Sequence, residues 1–409
     1  MVVASHLSGP AVRPRAAYVR MFGVITVIAV LVMSSRGIME IGLGKAIAYI
    51  GQFAMWSFLM VCCLLSRSTR TRRIAPIALF FLMAFIISCI ASAIITVEVM
   101  GTIYGYVYAA VFLYIALVMA FYIVFDVPLM EGRGLLTAYS VAGGVLVFFG
   151  IAQQLQLIVL PGDAFFSVVR PSSLTGSYLH YPLLVAICAF VMLEAYRCFK
   201  ERRYLVYAII MMFAIAGSMS RSGAMIVFFG LGLSFILYFI DQKTRVQQYL
   251  GIVGASALPI LVIAFVIFSQ QSLYVERIVS ALDVNAAGNS GRIGSWAQAF
   301  QIFLDGPIIF GDHAGLVTNI TRNLTNAETV IAESGFLQHL ANVGLLGCVT
   351  FYSLFYFIFR EIHREHIWLR ALIVACALQS FVFQSIEVFP FIAMLGLLPI
   401  ISRYLYNMD

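Results

Sequence analysis

The chain has 409 residues, of which 62% are hydrophobic and 11% are charged, and its formal net charge is +7. A soluble domain carries about 25% charged residues, and a water-soluble fold of this size could not bury so much apolar surface. The composition therefore excludes a soluble enzyme, a disordered protein and a disulfide scaffold, and it predicts an integral membrane protein. Because the basic residues fall in short clusters between apolar runs, no nucleic-acid partner is expected.

Apolar runs of membrane-spanning length follow one another along the whole chain. A helix that crosses a hydrocarbon core of roughly 30 Å needs about 20 mostly apolar residues. By this measure the predicted spans are 20–35, 46–66, 74–96, 103–125, 134–156, 181–198, 204–219, 223–240, 249–269, 335–359, 367–386 and 388–405. The expected fold is an all-α polytopic membrane protein, a single membrane domain over residues 1–409 with about 12 transmembrane helices.

The distribution of Lys and Arg predicts how these spans are oriented. With a cytoplasmic N-terminus, 18 of the 25 basic residues fall in inner segments, and both termini are cytoplasmic. The outer basic residues are Arg36, Lys45, Arg170, Arg221, Arg277, Arg292 and Arg322. The positive-inside rule does not favour these outer positions, which makes them candidates for a functional role.

Residues 270–334 form the one long loop, which is predicted to be extracytoplasmic and precedes the last three spans. Loops longer than about 15 residues are usually functional or disordered. Within this loop, apolar residues at helical spacing predict a short helix near 292–304 that rests on the membrane surface, with Trp296 at headgroup level. Asn289 or Ser290 is expected to cap its start.

The sequence contains no motif for a metal or nucleotide cofactor. The seven cysteines all lie in or beside apolar segments, which indicates neither a disulfide framework nor a metal site. No Walker loop, no H-E-x-x-H and no Asp-x-Asp pair occurs. We therefore expect chemistry without a metal, a cofactor or a nucleotide-sugar donor.

Three outer arginines, Arg170, Arg221 and Arg292, each follow or precede small residues beside an apolar span end. Placing a guanidinium group near the membrane is costly unless an anion pairs with it. The planar guanidinium can bind a phosphate group through two parallel hydrogen bonds. Several such groups that converge would hold a lipid diphosphate. The alternative is that each one reaches toward anionic headgroups or pairs with a loop carboxylate.

A second group of candidates begins where the long loop re-enters the membrane. Glu333 is predicted to act as a base or orienting group for a sugar hydroxyl, and the alternative is a helix cap. His339 lies about two turns further on and is either catalytic or an ordinary core residue. His180 and His313 are further candidates for substrate binding, and each could equally be a polar residue at headgroup level.

Four segments, in order, carry a resemblance to a known family: RPSSLTGSYLHYP, GSMSRSG, SGRIGSWAQAFQIFLDGPIIFGDH and AESGFLQHLANVGLLG. Together they resemble the bacterial O-antigen polymerase and O-antigen ligase superfamily over roughly residues 140–360. The resemblance implies a multi-pass protein of the bacterial cytoplasmic (inner) membrane. It also implies glycosyl transfer on the outer face from a polyprenyl-diphosphate-linked oligosaccharide.

The same resemblance implies roles for individual residues. Arg170, Arg221 and Arg292 would engage the diphosphate. Independently of the resemblance, Tyr178 and Trp296 are expected to contact sugar rings, because aromatic side chains stack on them. The expected reaction is a direct, inverting displacement at the anomeric carbon. The diphosphate leaves and Glu333 assists the attacking hydroxyl.

Three functions stay open at this point. In the ligase branch the loop ends in a His-Asn pair, whereas this chain has Glu333-Ser334, which favours a polysaccharide polymerase that elongates O-antigen, capsule or exopolysaccharide. The alternative enzyme is the ligase that moves a glycan to lipid A core. A flippase for lipid-linked sugars is the alternative from another class, but neither inverted repeats nor broken membrane helices are evident. A chain-length regulator is a possible protein partner of a polymerase.

Overall fold

The computed structural model describes residues 25, 27–31, 37, 44–65, 70–71, 74–126, 129–158, 170–218, 220–241, 287–325 and 328–408, which are almost wholly helical. In chain order the helices are α1 (Lys45–Leu65), α2 (Ala75–Met100), α3 (Tyr104–Val124), α4 (Leu129–Gln154), α5 (His180–Phe199), α6 (Arg202–Gly217), α7 (Arg221–Asp241), α8 (Ala287–Asp305), α9 (Asn319–Thr325), α10 (Gly335–Glu361), α11 (Ile367–Ser380) and α12 (Phe389–Tyr406). Single 3₁₀ turns cover Ser173–Thr175 and Ser385–Glu387, and a short antiparallel pair joins β1 (Arg70–Thr71) to β2 (Phe125–Asp126).

Seven of the described helices are long and apolar enough to cross a membrane: α2, α3, α4, α5, α7, α10 and α12. Helices α1 and α11 contain shorter apolar stretches, Ile47–Val61 and Ile367–Ser380. The prediction of a polytopic helical membrane protein is confirmed. The predicted span 249–269 and most of 20–35 lie outside the described residues, so the total of about 12 spans stays a prediction.

Helices α5 and α12 form the centre of the bundle. All residues of Tyr181–Ala195 in α5 and of Phe389–Ser402 in α12 are buried. Helix α2 lies at the periphery, where Phe80 is 69% exposed while Phe85 is fully buried. Since both faces of α2 are apolar, one can pack against protein and the other against hydrocarbon.

Helix α10 is broken at Gly344, contrary to the uninterrupted span expected at 335–359. Gly344 has φ +67° and ψ −171°, and a Cβ added there would lie 2.5 Å from the carbonyl carbon of Ile309. Past the break, the Leu345 and Leu346 N–H groups donate to the Ile308 and Ile309 carbonyls at 2.8 and 3.1 Å. Carbonyl groups of the long loop therefore accept the hydrogen bonds that helix carbonyls would otherwise accept. The loop can approach this closely only because Gly344 has no side chain.

Buried polar side chains hold this loop against α2 and α10. Asn342 is fully buried; its Oδ1 accepts from Gly315 N at 2.8 Å, and its Nδ2 donates to the Val317 carbonyl at 2.7 Å. On α2, Thr96 Oγ1 accepts from Ala314 N at 2.8 Å. These bonds satisfy loop backbone groups that would otherwise be buried without partners, so they fix the loop on the bundle.

Candidate functional site

Arg170, Arg221 and Arg292 line one cavity of about 200 Å³. Arg170 lies just before the Ser173–Thr175 turn, Arg221 is the first residue of α7, and Arg292 lies in α8. The rest of the wall consists of Tyr178, Leu179, Ser220, Ser222, Met225, Val382 and Phe383. Three guanidinium groups on one small cavity create a site for an anion with several acceptor oxygens.

Arg221 and Arg170 each contact a neighbouring side chain. Arg221 Nη1 donates to the side-chain oxygen of Asn289 at 2.6 Å, and the Arg170 guanidinium carbon lies 5.0 Å from the ring centroid of Tyr178. Asn289 and Arg292 are three residues apart in α8 and thus lie on one helical face. The same face of α8 therefore supplies one arginine and positions another.

Two neighbouring amides at the end of α4 fix the segments that carry Arg170 and Arg221. Gln153 Oε1 accepts from Ser173 N, and Gln154 Nε2 donates to the Gly217 carbonyl, both at 2.6 Å. Gln153 is buried, with 1% of its surface exposed. This role was not predicted from the sequence, although two adjacent amides in an apolar span are a signal for it.

Glu333 does not line the cavity but is ion-paired with Arg292, which does; the Arg292 Nε donates to the Glu333 carboxylate. Glu333 does not cap α10, because Ser334 is the N-cap and its Oγ accepts from Leu337 N at 3.2 Å. The backbone of Glu333 has φ +48°, a left-handed conformation that costs roughly 1–2 kcal/mol for a residue with a Cβ. The fold thus holds the Glu333 backbone in a strained conformation while its carboxylate pairs with Arg292. Strained backbone of this kind often occurs at functional sites.

A buried network behind Glu333 was not predicted. Glu387, between α11 and α12, accepts from Asn319 N at 3.0 Å and from Gln338 Nε2 at 2.5 Å, and Thr318 Oγ1 also donates to it. Burial raises the pKa of the Glu387 carboxyl to about 7, although these donors lower it. The network joins the long loop to the first turns of α10, which begins two residues after Glu333.

The predicted histidines do not line the arginine cavity. His339 is fully buried; its Nδ1 lies 2.8 Å from Tyr108 Oη and its ring packs edge-on to Phe351, with centroids 4.3 Å apart. His180 is the half-buried first residue of α5. His313 lies in the long loop, with Nδ1 2.5 Å from Asp312 Oδ1. The tertiary structure thus pairs Glu333 with one of the arginines, whereas none of these histidines lines the arginine cavity.

Helix α8 begins earlier than the predicted 292–304, so Asn289 and Ser290 lie inside the helix instead of capping it. Its Ala299 is fully buried in a small apolar cluster with α10, whereas Phe300 is 46% exposed. Trp296 is half-buried on α8 and is not part of the cavity wall.

One group of three potential metal ligands occurs among the described residues: Glu194, Cys198 and His366. Arg197 already forms an ion pair with the Glu194 carboxylate, and the other carboxylate oxygen accepts from Trp368 N at 2.9 Å. A guanidinium thus occupies the place where a cation would bind. These residues do not line the arginine cavity.

Comparison with known proteins gives one family match. Residues 206–352 match the family model described as O-Antigen ligase. No curated protein matches the chain. The matched segment includes Arg221, Arg292, Glu333 and the broken start of α10, and lacks Arg170. This segment, which contains most of the site just described, is therefore similar to the O-antigen ligase family.

Proposed function

We propose that this protein is a membrane glycosyltransferase that polymerises polyprenyl-diphosphate-linked oligosaccharide repeat units on the outer face of the bacterial inner membrane. The observation that carries this proposal is the convergence of Arg170, Arg221 and Arg292 on one cavity. Three guanidinium groups and the Glu333 carboxylate leave two positive charges in excess. That excess complements a diphosphate, which is the leaving group of such a donor.

In the proposed reaction, a hydroxyl of the acceptor sugar attacks the anomeric carbon of the donor. The bond from that carbon to the diphosphate oxygen breaks, and its electron pair stays on the diphosphate. The arginines stabilise the developing charge, so no general acid is needed at the leaving group. The proton of the acceptor hydroxyl goes to the Glu333 carboxylate, and the anomeric configuration inverts.

The ion pair between Glu333 and Arg292 suggests how donor binding prepares the base. Both side chains are partly exposed, 39% and 31%, and a pair of that kind contributes about 0–1 kcal/mol. A hydrogen bond to a charged group contributes about 1.5–3 kcal/mol, so a diphosphate can replace the carboxylate on Arg292. Glu333 is then released to accept a proton.

Polymerase is preferred over ligase because of the residue at the base position. Glu333-Ser334 stands where the ligase branch has a His-Asn pair. The family match itself is described as O-Antigen ligase and is compatible with either branch. The ligase that transfers glycan to lipid A core is therefore the second candidate.

A flippase needs polar groups that continue from one side of the membrane to the other. The break in α10 is a feature of some transporters. However, α5 runs from the arginine end of the bundle to the opposite end, and its segment Pro182–Leu193 is wholly apolar and buried. The interior of α5 therefore offers no polar groups between the two ends, which favours chemistry at the arginine cavity over passage across the membrane.

Purified protein incubated with polyprenyl-diphosphate-linked repeat units alone tests the proposal. A ladder of longer lipid-linked products supports the polymerase. Transfer only after lipid A core is added identifies a ligase, and no transfer in either case favours the flippase. Reporter fusions at Ser172 and after Arg364 test the orientation, since the first should report the outer side and the second the cytoplasm. A chain-length regulator would change the length distribution of the ladder.

A further inference from the structure

A second cavity, of about 470 Å³, lies at the opposite end of the bundle from the arginine cavity. The first cavity includes Leu179, just before α5 begins, and the second includes Phe199, where α5 ends. A helix of 20 residues is about 30 Å long, so the two cavities are separated by about the thickness of a hydrocarbon core. The second cavity is thus at the level of the lipid headgroups of the other leaflet.

The wall of this cavity has two chemically different parts. The polar part includes Arg133 on α4, Arg203 on α6, and Glu201 just before α6. The hydroxyl-bearing and apolar part consists of Leu136, Thr137, Ser140, Phe199, Tyr204, Tyr207, Tyr404 and Met408. Tyrosine is typical of membrane interfaces because its ring is apolar and its hydroxyl is polar.

The charged side chains of this cavity give it a small positive charge. Arg203 forms an ion pair with Glu201 at 2.5 Å and lies over the Tyr204 ring, 4.9 Å from its centroid. Among the described side chains, none forms a hydrogen bond or ion pair with the exposed Arg133 guanidinium. Two guanidinium groups and one carboxylate leave one positive charge in excess, which matches a phosphodiester with a single negative charge.

We propose that this cavity binds the phosphate headgroup of an anionic phospholipid, with Arg133 and Arg203 on the phosphodiester and an acyl chain along the apolar wall. A groove that presents guanidinium, tyrosine hydroxyl and apolar carbon together at headgroup level has the chemistry of such a lipid. A zwitterionic phospholipid brings no net charge to offset the excess. The inference does not depend on the proposed glycosyl transfer.

Native mass spectrometry of the full-length protein from nanodiscs of equal phosphatidylglycerol and phosphatidylethanolamine tests the proposal. We expect retained phosphatidylglycerol, and each of Arg133→Ala and Arg203→Ala should lower its retention about fivefold. Arg202→Ala is the matched control, since Arg202 is an exposed neighbour outside the cavity wall and its loss should leave retention unchanged.

The outcomes that would overturn the proposal are as follows, together with a competition with inorganic phosphate and a second Arg133 variant. Equal loss in Arg202→Ala, or equal retention of both lipids by the wild-type protein, would overturn the proposal in favour of unspecific attraction to the surface. Displacement of the lipid by inorganic phosphate would also overturn it, because the acyl chain would then contribute nothing. An Arg133→Gln variant with unchanged thermal stability and reduced retention separates lipid binding from folding.

Discussion

The Glu333 carboxylate is ion-paired with the Arg292 guanidinium, which joins two residues 41 positions apart in the chain. Arg292 lies on α8 in the long loop, and Glu333 directly precedes Ser334, the N-cap residue of α10. Arg292 also lines the cavity that contains Arg170 and Arg221. The proposed base and the proposed diphosphate clamp are therefore physically one site.

Glu333→Gln should lower turnover by about 10²–10⁴-fold, the usual contribution of a general base. Glutamine keeps the size and the hydrogen-bonding capacity but removes the charge, and donor binding should persist because the arginines are unchanged. Single-turnover assays together with donor-binding measurements check this. Near-normal turnover would mean that Glu333 has no role in the chemistry.

Replacing Arg221 or Arg292 by Ala should abolish polymer formation while the protein still accumulates in the membrane. Arg292→Lys should rescue poorly, because an ammonium group cannot reproduce the bidentate fork. Arg322→Ala, on the exposed side of α9, is the control and should retain activity. In vivo polymer ladders and protein levels measure both effects, and equal activity in all variants would refute the clamp. Arg277, which is also predicted to be a solvated loop residue, lies outside the described residues.

His339→Ala should lower thermal stability, with turnover per folded molecule maintained. Removing a fully buried ring leaves a cavity among aromatic side chains, and large-to-small core substitutions cost about 2–5 kcal/mol. The expected pattern is the reverse of that for Glu333→Gln. A loss of turnover without a loss of stability would instead assign the catalytic role to His339.

Glu387 should make the stability of the protein depend on pH. Its folded-state pKa of about 7 is above the ordinary value of 4.5, so the folded protein holds a proton that the unfolded chain releases. Its contribution is therefore full below about pH 4.5 and is lost as the pH rises through about 7. Glu387→Gln should flatten this slope in thermal melts between pH 4.5 and 8. Identical slopes for both proteins would contradict the prediction.

Gly344→Ala should destabilise the protein, because a Cβ would meet the backbone of Ile309 and the local φ and ψ are essentially restricted to glycine. The long loop should then become accessible to protease near Ile308. Gly232→Ala in α7 is the control, since a Cβ there meets no atom within 4 Å. Comparable melting temperatures for the two variants would show that the break in α10 tolerates a side chain.

Composition and the length of the apolar runs were enough to predict the fold class, and the positions of the charged residues pointed to the arginines. Hydrocarbon requires about 20 apolar residues in each spanning helix, so composition and run length are sufficient to identify the described spans. Charge near the membrane is costly, so Arg170, Arg221 and Arg292 were recognisable from the cost of their positions. These inferences depend on local properties of the chain.

The tertiary structure alone decided which residues meet. The ion pair from Glu333 to Arg292, the bond from Arg221 to Asn289 and the separation of His339 from the cavity all depend on contacts between distant segments. The break at Gly344 could not be predicted from the sequence either, because the apolar run that contains it predicts one continuous helix. The break depends on carbonyl groups of the distant loop, which accept the hydrogen bonds of the N–H groups after Gly344. Local patterns predict burial and helicity, whereas packing between segments decides which side chains share a cavity.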